Sequence, residues 1–584
     1  MLPPTTTTVQ HVLFAVLSLA AIGTAPVRAY NNASSAIVSE FPEYAKYPPK
    51  PLVCIANGCL IGTDKNGLEN AQFEAFFGIP YAKPPLGKLR FKNPVPAEPW
   101  NGNYDATYER SKCIQKNDAR PHSLVEGSED CLYLNLYRPK YITDPLPVIF
   151  YIHGGSYASG SASFTEFGPE RLMDTSKVIV VVIQYRLGVF GFLSTDDSCS
   201  PGNYGLKDQS MALRWVQNNI QNFGGDPKRV LLVGQSAGAA AVQMHMMSPL
   251  SRGTFSKAVS MSGSVHAYWN YNIDQARVAR RQAAVIGIPN PYKISTDKLV
   301  EALRWVDAYE LGRSIDRLKY FYVHPTGLFQ PVAEQYVTKE TFLSEEPRNL
   351  WAAGKYEQIP WVTGFLPNDG AADSLGIITN VTLLEQLNQK SRRFIPRLAG
   401  GDAHNKSTQM LKERYFSDGT DENWLTRDNY LNLQALLTES TITYGIAMSV
   451  KQHQALKNAK KAPISVYYFN FHGRYSNSYA YTYTGTDFGV CHSDELLYLF
   501  RNSALVPDYQ AGSPELIMAK GLVDYFVKLA YDGISGPYCK QNDCQLLEFT
   551  NSDNPKAPVE LNLVNGFDEE MFKFWREYYR LQGI

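Results

Sequence analysis

From about residue 146 the chain carries continuous apolar runs, among them Val148–Ile152 and Val178–Gln184 (VIVVVIQ). A half-exposed strand would alternate apolar and polar positions; unbroken runs predict strands buried on both faces. Between such runs the period changes. In Gln209–Ile220 the apolar residues Ala212, Trp215, Val216 and Ile220 fall at helical spacing. Val230–Val233 is a further short strand, followed at once by a small-residue helix over Ala237–Met247. Ala258–Met261, Trp361–Gly364 and Val466–Asn470 read as further strands. Alternation of buried strands with helices predicts an α/β fold, a mostly parallel, doubly wound sheet. Residues 265–350 and 370–460 are expected to be mostly helical insertions on it. No Gly/Ser tract, charge block or repeat divides the chain, so one large domain over 30–584 is expected, with an irregular Pro-rich arm at 30–50. Near the end, Met571, Phe574, Trp575 and Tyr578 form an apolar stripe expected to dock on the body rather than enter lipid.

The N-terminus has a different pattern. Val12–Ile22 (VLFAVLSLAAI) is apolar or small throughout, too short to span a bilayer, and precedes Val27-Arg28-Ala29. That layout predicts a signal peptide over residues 1–29, although no Lys or Arg precedes the apolar run. No other run approaches a membrane span, and an exported, extracellular protein is expected. The eight cysteines agree with an oxidising compartment, where disulfides are favoured over zinc. The spacings suggest three local bridges, Cys54–Cys59, Cys113–Cys131 and Cys539–Cys544, with Cys199 and Cys491 unassigned. Asn32, Asn380 and Asn405 head glycosylation tripeptides. Lys plus Arg and Asp plus Glu both number 56 in 584 residues, so no basic excess exists to attract nucleic acid.

Candidate chemistry centres on Gly234-Gln235-Ser236-Ala237-Gly238. Lying between a predicted strand and a predicted helix, this G-x-S-x-G has the setting of a nucleophile elbow. A serine hydroxyl needs a base. In the chain order Ser, acid, His the base comes late, which selects His492 in the loop Gly489–Leu496, with His472 in reserve. An acid to orient the imidazole must then lie between them. Asp369, where a predicted strand runs into a loop, is the choice, with Asp373 as rival. Backbone donors for an oxyanion are expected from Ala237 and from the loop His153-Gly154-Gly155-Ser156, which also follows a strand. All four segments fall at strand ends or loops, where open α/β sheets bind ligands.

At these residues the sequence resembles the type-B carboxylesterase/cholinesterase family of α/β-hydrolases. The likeness extends over roughly residues 50 to 580. It rests on Phe77-Gly-Ile-Pro-Tyr-Ala-Lys-Pro-Pro, Glu129-Asp-Cys-Leu-Tyr-Leu-Asn135, Gly202-Asn-Tyr-Gly-Leu-Lys-Asp-Gln209, Phe223-Gly-Gly-Asp-Pro227 and Met261-Ser-Gly-Ser264. In style it is similar to exported insect esterases, including the juvenile hormone esterases. The resemblance implies Ser236 as nucleophile, His492 as base, Asp369 as orienting acid, and Gly155, Ser156 and Ala237 as oxyanion donors. It also implies the Cys113–Cys131 bridge and places Ser262 near the acid and base. Two positions depart from the family pattern. Glu is usual where Asp369 stands, so the shorter acid requires its loop to come closer to His492. Gly or Ala is usual where Ser156 stands. The loop between Cys113 and Cys131 has no Trp over which a choline cation could rest, which argues against choline esters. The expected activity is hydrolysis of a small carboxylic ester through an acyl-enzyme, without metal or organic cofactor. A non-catalytic adhesion protein on the same fold, or a slow sequestering esterase, is the competing reading. The sequence sets no oligomeric state.

Overall fold

The computed structural model describes residues 50–117, 123–270, 274–456, 462–534, 536–537, 539 and 544–583. The expected signal peptide, the expected arm up to residue 49 and Asn32 lie outside the described residues. A small sheet joins β1 (Leu52–Ile55), β2 (Gly58–Ile61) and β5 (Asn103–Asp105). The large sheet begins with β3 (Thr63–Asn66), β4 (Gln72–Pro80) and β6 (Tyr133–Pro139). It continues with β7 (Leu146–Ile152), β8 (Ile179–Ile183), β9 (Gly225–Gln235) and β10 (Lys257–Met261). β11 (Trp361–Phe365), β12 (Ile464–Asn470), β13 (Gln545–Asn551) and β14 (Val559–Asn565) complete it. The eleven strands run in the order β14-β13-β12-β11-β10-β9-β7-β8-β6-β4-β3. From β13 across to β8 every pairing is parallel, and both flanks are antiparallel.

The unbroken apolar runs do what their pattern predicts. Along β9, Val230 and Leu232 enter one core while Leu231 and Val233 enter another on the opposite face. In β8, Ile179, Val181 and Ile183 face the first core and Val180 and Val182 the second. Neither face meets water, so alternation has nothing to select. The antiparallel flanks, β3 to β6 and β13–β14, were not foreseen. Their runs are short or interrupted by charge, as in Gln545–Asn551, and their pairing depends on neighbours distant in the chain.

The insertions divide unequally. Residues 370–460 are mostly helical, and with the C-terminal helix Glu569–Gln582 they enclose a third core. Met571, Trp575 and Tyr578 are buried there, so the terminal stripe docks on the body. Residues 265–350, expected to be mostly helical, form no helix between 319 and 346. That stretch contains Pro325 and Pro331, which cannot donate to a helical ladder. It is held instead by tertiary bonds. The Glu334 carboxylate is buried against Lys207 Nζ at 2.7 Å and accepts from the Phe342 N–H at 2.8 Å. Three disulfides are present, Cys54–Cys59, Cys113–Cys131 and Cys539–Cys544, while Cys199 and buried Cys491 are free thiols. No helix among the described residues is long and apolar enough to cross a membrane.

Two glycines outside the site test this packing in opposite directions. A Cβ at exposed Gly521, inside helix Pro514–Asp532, would meet nothing within 4 Å. Gly521→Ala therefore raises stability by about 0.5–1 kcal/mol, through the helix preference of alanine alone. At Gly364 of β11 a Cβ would lie 2.2 Å from the ring of buried Tyr467. Gly364→Ala lowers stability by about 1–3 kcal/mol. Thermal unfolding of both variants beside the parent chain measures the pair.

Candidate active site

The parallel strands end level with one another, and the candidate residues sit just beyond those ends. In register, Ile152 of β7 faces Gly234 of β9, and Met261 of β10 faces both Gln235 of β9 and Gly364 of β11. Ser236 leaves β9 into helix Ala237–Met247 with φ 57° and ψ −122°, a strained conformation for a residue bearing a Cβ. Its N–H is bonded to Met261 O at 2.8 Å, which holds the strained turn against β10. The flanking glycines are required by close approach. A Cβ at Gly234 would lie 2.3 Å from Gly238 O, and one at Gly238 would lie 2.2 Å from Ile152 O. The G-x-S-x-G spacing is thus the sequence record of a helix entering directly over two strand ends.

Asp369 lies beyond β11, two strands from Ser236, a separation of about 10 Å at ordinary strand spacing. The imidazole of His492 reaches into this gap. Its Nδ1 is 2.7 Å from Asp369 Oδ1, and both side chains are buried. The second carboxylate oxygen accepts from Ser262 Oγ at 3.1 Å and from the Leu366 N–H at 2.8 Å, which fixes the acid's orientation. The shorter acid reaches the imidazole because the two loops are laced together: the Asn368 N–H donates to Val490 O at 3.1 Å. The other ring nitrogen, His492 Nε2, lies 3.0 Å from Gln235 Nε2. An amide nitrogen only donates, so Nε2 is the accepting nitrogen and Nδ1 carries the proton toward Asp369. The basic lone pair therefore faces the Gln235 amide, next to Ser236 in the chain.

Ser236, His492, Asp369, Gly155 and Ser156 all line one cavity of about 240 Å³. Gly155 and Ser156 follow β7 in a tight turn, with Gly155 O accepting from the N–H groups of Ala158 and Ser159. Gly155 has φ 105°, and a Cβ there would lie 2.1 Å from Ser159 O. Buried Ala237 opens the helix after Ser236. Among the described residues the backbone N–H groups of Gly155, Ser156 and Ala237 donate to no other group. Backbone donors without protein acceptors, two of them on residues that line the cavity with Ser236, are suited to an oxygen that gains negative charge.

Of the reserve candidates, His472 is exposed and paired with Asp487 at 2.9 Å. Asp373 lines the cavity, but its carboxylate contacts Thr326 Oγ1 at 3.5 Å and makes no bond to the imidazole. His153 is buried and stacked on Tyr185, and burial pushes its pKa down to about 4. Residues beside His492 were missed in the sequence. Gln235 contacts the imidazole, and its one signal was its place before Ser236. Asp494, two positions after His492, folds the histidine loop: its carboxylate accepts from Cys491 N at 2.8 Å and from Asn477 N at 2.6 Å. No group of three His, Cys, Asp or Glu side chains suited to a metal occurs among the described residues.

Comparison with known proteins agrees with this architecture. A family model described as the carboxylesterase family matches residues 49–575. Juvenile hormone esterase of Tribolium castaneum is 36% identical over 536 residues, covering 89% of either chain. Venom carboxylesterase-6 of Apis mellifera is 31% identical over 534 residues, 88% of this chain and 93% of that one. A crystal structure of juvenile hormone esterase from Manduca sexta with OTFP covalently attached superposes with a TM-score of 0.77 at 26% identity, over 91% of this chain and 100% of the other.

Burial raises the Asp494 pKa to about 7, against about 4 in an unfolded chain. Between those values the folded protein holds a proton that the unfolded chain has released. Its contribution to stability is therefore complete below pH 4 and is lost as the pH rises to 7. Asp494→Asn, which keeps an acceptor for the loop, flattens that decline. Melting temperatures of parent and variant from pH 4 to pH 8 measure it.

Proposed function

Given that the chain belongs to the carboxylesterase family and is a carboxylic-ester hydrolase, we propose that it works through an acyl-enzyme formed on Ser236 and is exported from the cell as one domain over residues 30–584. The observation that carries the mechanism is the strained Ser236 opening into the same cavity as an imidazole whose far nitrogen is tied to a buried carboxylate. In this reading Ser236 Oγ attacks the ester carbonyl carbon while His492 Nε2, released by Gln235, takes the hydroxyl proton. Nδ1–H stays with Asp369, whose negative charge balances the imidazolium. The carbonyl oxygen, now carrying the charge, accepts from the N–H groups of Gly155, Ser156 and Ala237. His492 returns the proton to the departing alcohol. Water repeats the sequence on the acyl-enzyme and releases the carboxylic acid. Every proton and electron pair is accounted for by these groups, the ester and water.

Export is supported by the three disulfides and by the N-terminal pattern. Exposed Asn380, at the N-terminus of helix Val381–Asn388, is open to glycan attachment; Asn32 and Asn405 remain candidates from their tripeptides. The relatives range from a hormone esterase to a venom carboxylesterase, so family membership sets the reaction and leaves the choice of ester to the cavity walls.

Purified protein is expected to hydrolyse a short p-nitrophenyl ester, with Ser236→Ala lowering kcat by about 10⁶-fold. An unchanged rate removes Ser236 from the mechanism. An organophosphate is expected to label the Ser236 peptide, read by mass spectrometry, and slow turnover with full labelling identifies a sequestering esterase. Asp369→Asn lowers kcat by about 10⁴-fold, and Asp373→Asn by far less. The reverse ranking moves the acid.

A further inference from the structure

Asp373 is the one carboxylate lining the cavity, among the described residues, that the acyl-transfer scheme leaves without a task. It is half-buried, in the first turn of helix Ala371–Ile378, four residues beyond Asp369. The helix N-terminus favours a negative charge there, and that alone would explain an acid facing solvent. It does not explain an acid facing a substrate cavity. Among the described residues the carboxylate has one hydrogen-bond contact, the Thr326 hydroxyl at the long distance of 3.5 Å. No described Lys or Arg lines the cavity.

The neighbouring bases do not neutralise it. His324 bonds through Nε2 to the Asp373 main-chain oxygen at 3.3 Å, and burial lowers its pKa, so at neutral pH this imidazole carries no charge. Arg397 lines an adjoining cavity of about 340 Å³ and lies 3.7 Å from Asp402. The remaining walls offer many polar groups, including Ser159, Thr326, Thr441 and Ser493, and few aliphatic ones, chiefly Ile442 and two alanines. Trp269 is fixed in the wall by its indole N–H, which donates to Thr441 O at 3.0 Å. A carboxylate short of donors, in a cavity partly closed to water and walled by hydroxyls and an indole, is matched by a ligand that brings a donor.

We infer that Asp373 is a specificity-determining residue that binds a hydrogen-bond-donating group, ammonium or hydroxyl, carried by the ester, so that the cavity selects polar esters over purely hydrocarbon ones. The inference rests on the esterase reading above and adds the substrate class to it. It assigns Asp373 no part in the bond-breaking steps.

Three butyrate esters of nearly equal shape separate the alternatives: 3-methylbutyl butyrate, 2-(dimethylamino)ethyl butyrate, protonated at neutral pH, and 3-hydroxybutyl butyrate. The reading is the ratio of kcat/KM between esters within each protein, so a general loss of activity cancels. The parent chain is expected to prefer one or both donor-bearing esters over 3-methylbutyl butyrate by about tenfold or more. Preference for the amino ester alone identifies an ion pair, and preference for both identifies a hydrogen bond. Asp373→Asn brings the amino-ester ratio toward one, while Asp373→Glu retains the preference. The inference is overturned if the parent chain favours the hydrocarbon ester or shows equal rates, or if Asp373→Asn keeps the parent ratio. Should p-nitrophenyl esters be hydrolysed while the parent ratio is one, this inference fails and the esterase reading stands. Should no ester of either kind be hydrolysed, both fail.

Discussion

The level carboxyl ends of β7, β9, β10 and β11 are the constraint on which the site depends. Ser236 N–H bonds to Met261 O, and Ser262 N–H bonds to Gly364 O, both at 2.8 Å, so each strand's exit is anchored to the next. A slip of one residue in any of these pairings would turn the exit residue to the opposite face. The elbow serine would then point into a core. Burial on both faces of the sheet specifies the register, because every alternative places the wrong side chains in close-packed cores. The site inherits its precision from packing well beneath it.

Buried charge is the second organising element. The imidazole of His492 is surrounded by acids with different tasks. Asp369 holds the ring, and Asp494 folds the loop that carries it. Glu495 is fully buried, and desolvation, with Asp369 nearby, pushes its pKa well above the usual carboxylate range. Such an environment favours the protonated form of Glu495. Farther away, Arg186 meets Asp208 through two bonds of 2.7 and 2.8 Å in a fully buried pair. Lys207 and Glu334 form another, tying the helix Tyr204–Asn219 to the irregular stretch at 319–346. Breaking one partner of such a pair costs far more than the pair contributes, so these residues fix geometry more than they add stability.

How much could be read beforehand differs by element. The strands β7 to β12 announced themselves, because double-sided burial leaves unbroken apolar runs. The elbow did so because backbone crowding at Gly234 and Gly238 excludes every larger residue. His492 and Asp369 were accessible through chain order and strand-end placement. The helical content expected of 265–350 is not met across 319–346, because prolines and a buried Lys207–Glu334 pair override local spacing, and that pair joins residues 127 positions apart.

The sequence by itself determined the class of fold, the elbow that carries Ser236 and the three cysteine pairs, through periodicity, local sterics and spacing, and chain order pointed to His492 and Asp369. Only the tertiary structure decided that Gln235 meets the imidazole, that Asp494 folds its loop, and that Asp373 faces the cavity instead of the histidine. The reason is physical. Asp369 and Asp373 are four residues apart and chemically identical, and what separates their environments is the packing around them: one carboxylate meets Ser262, Leu366 and His492, the other a threonine hydroxyl and open space.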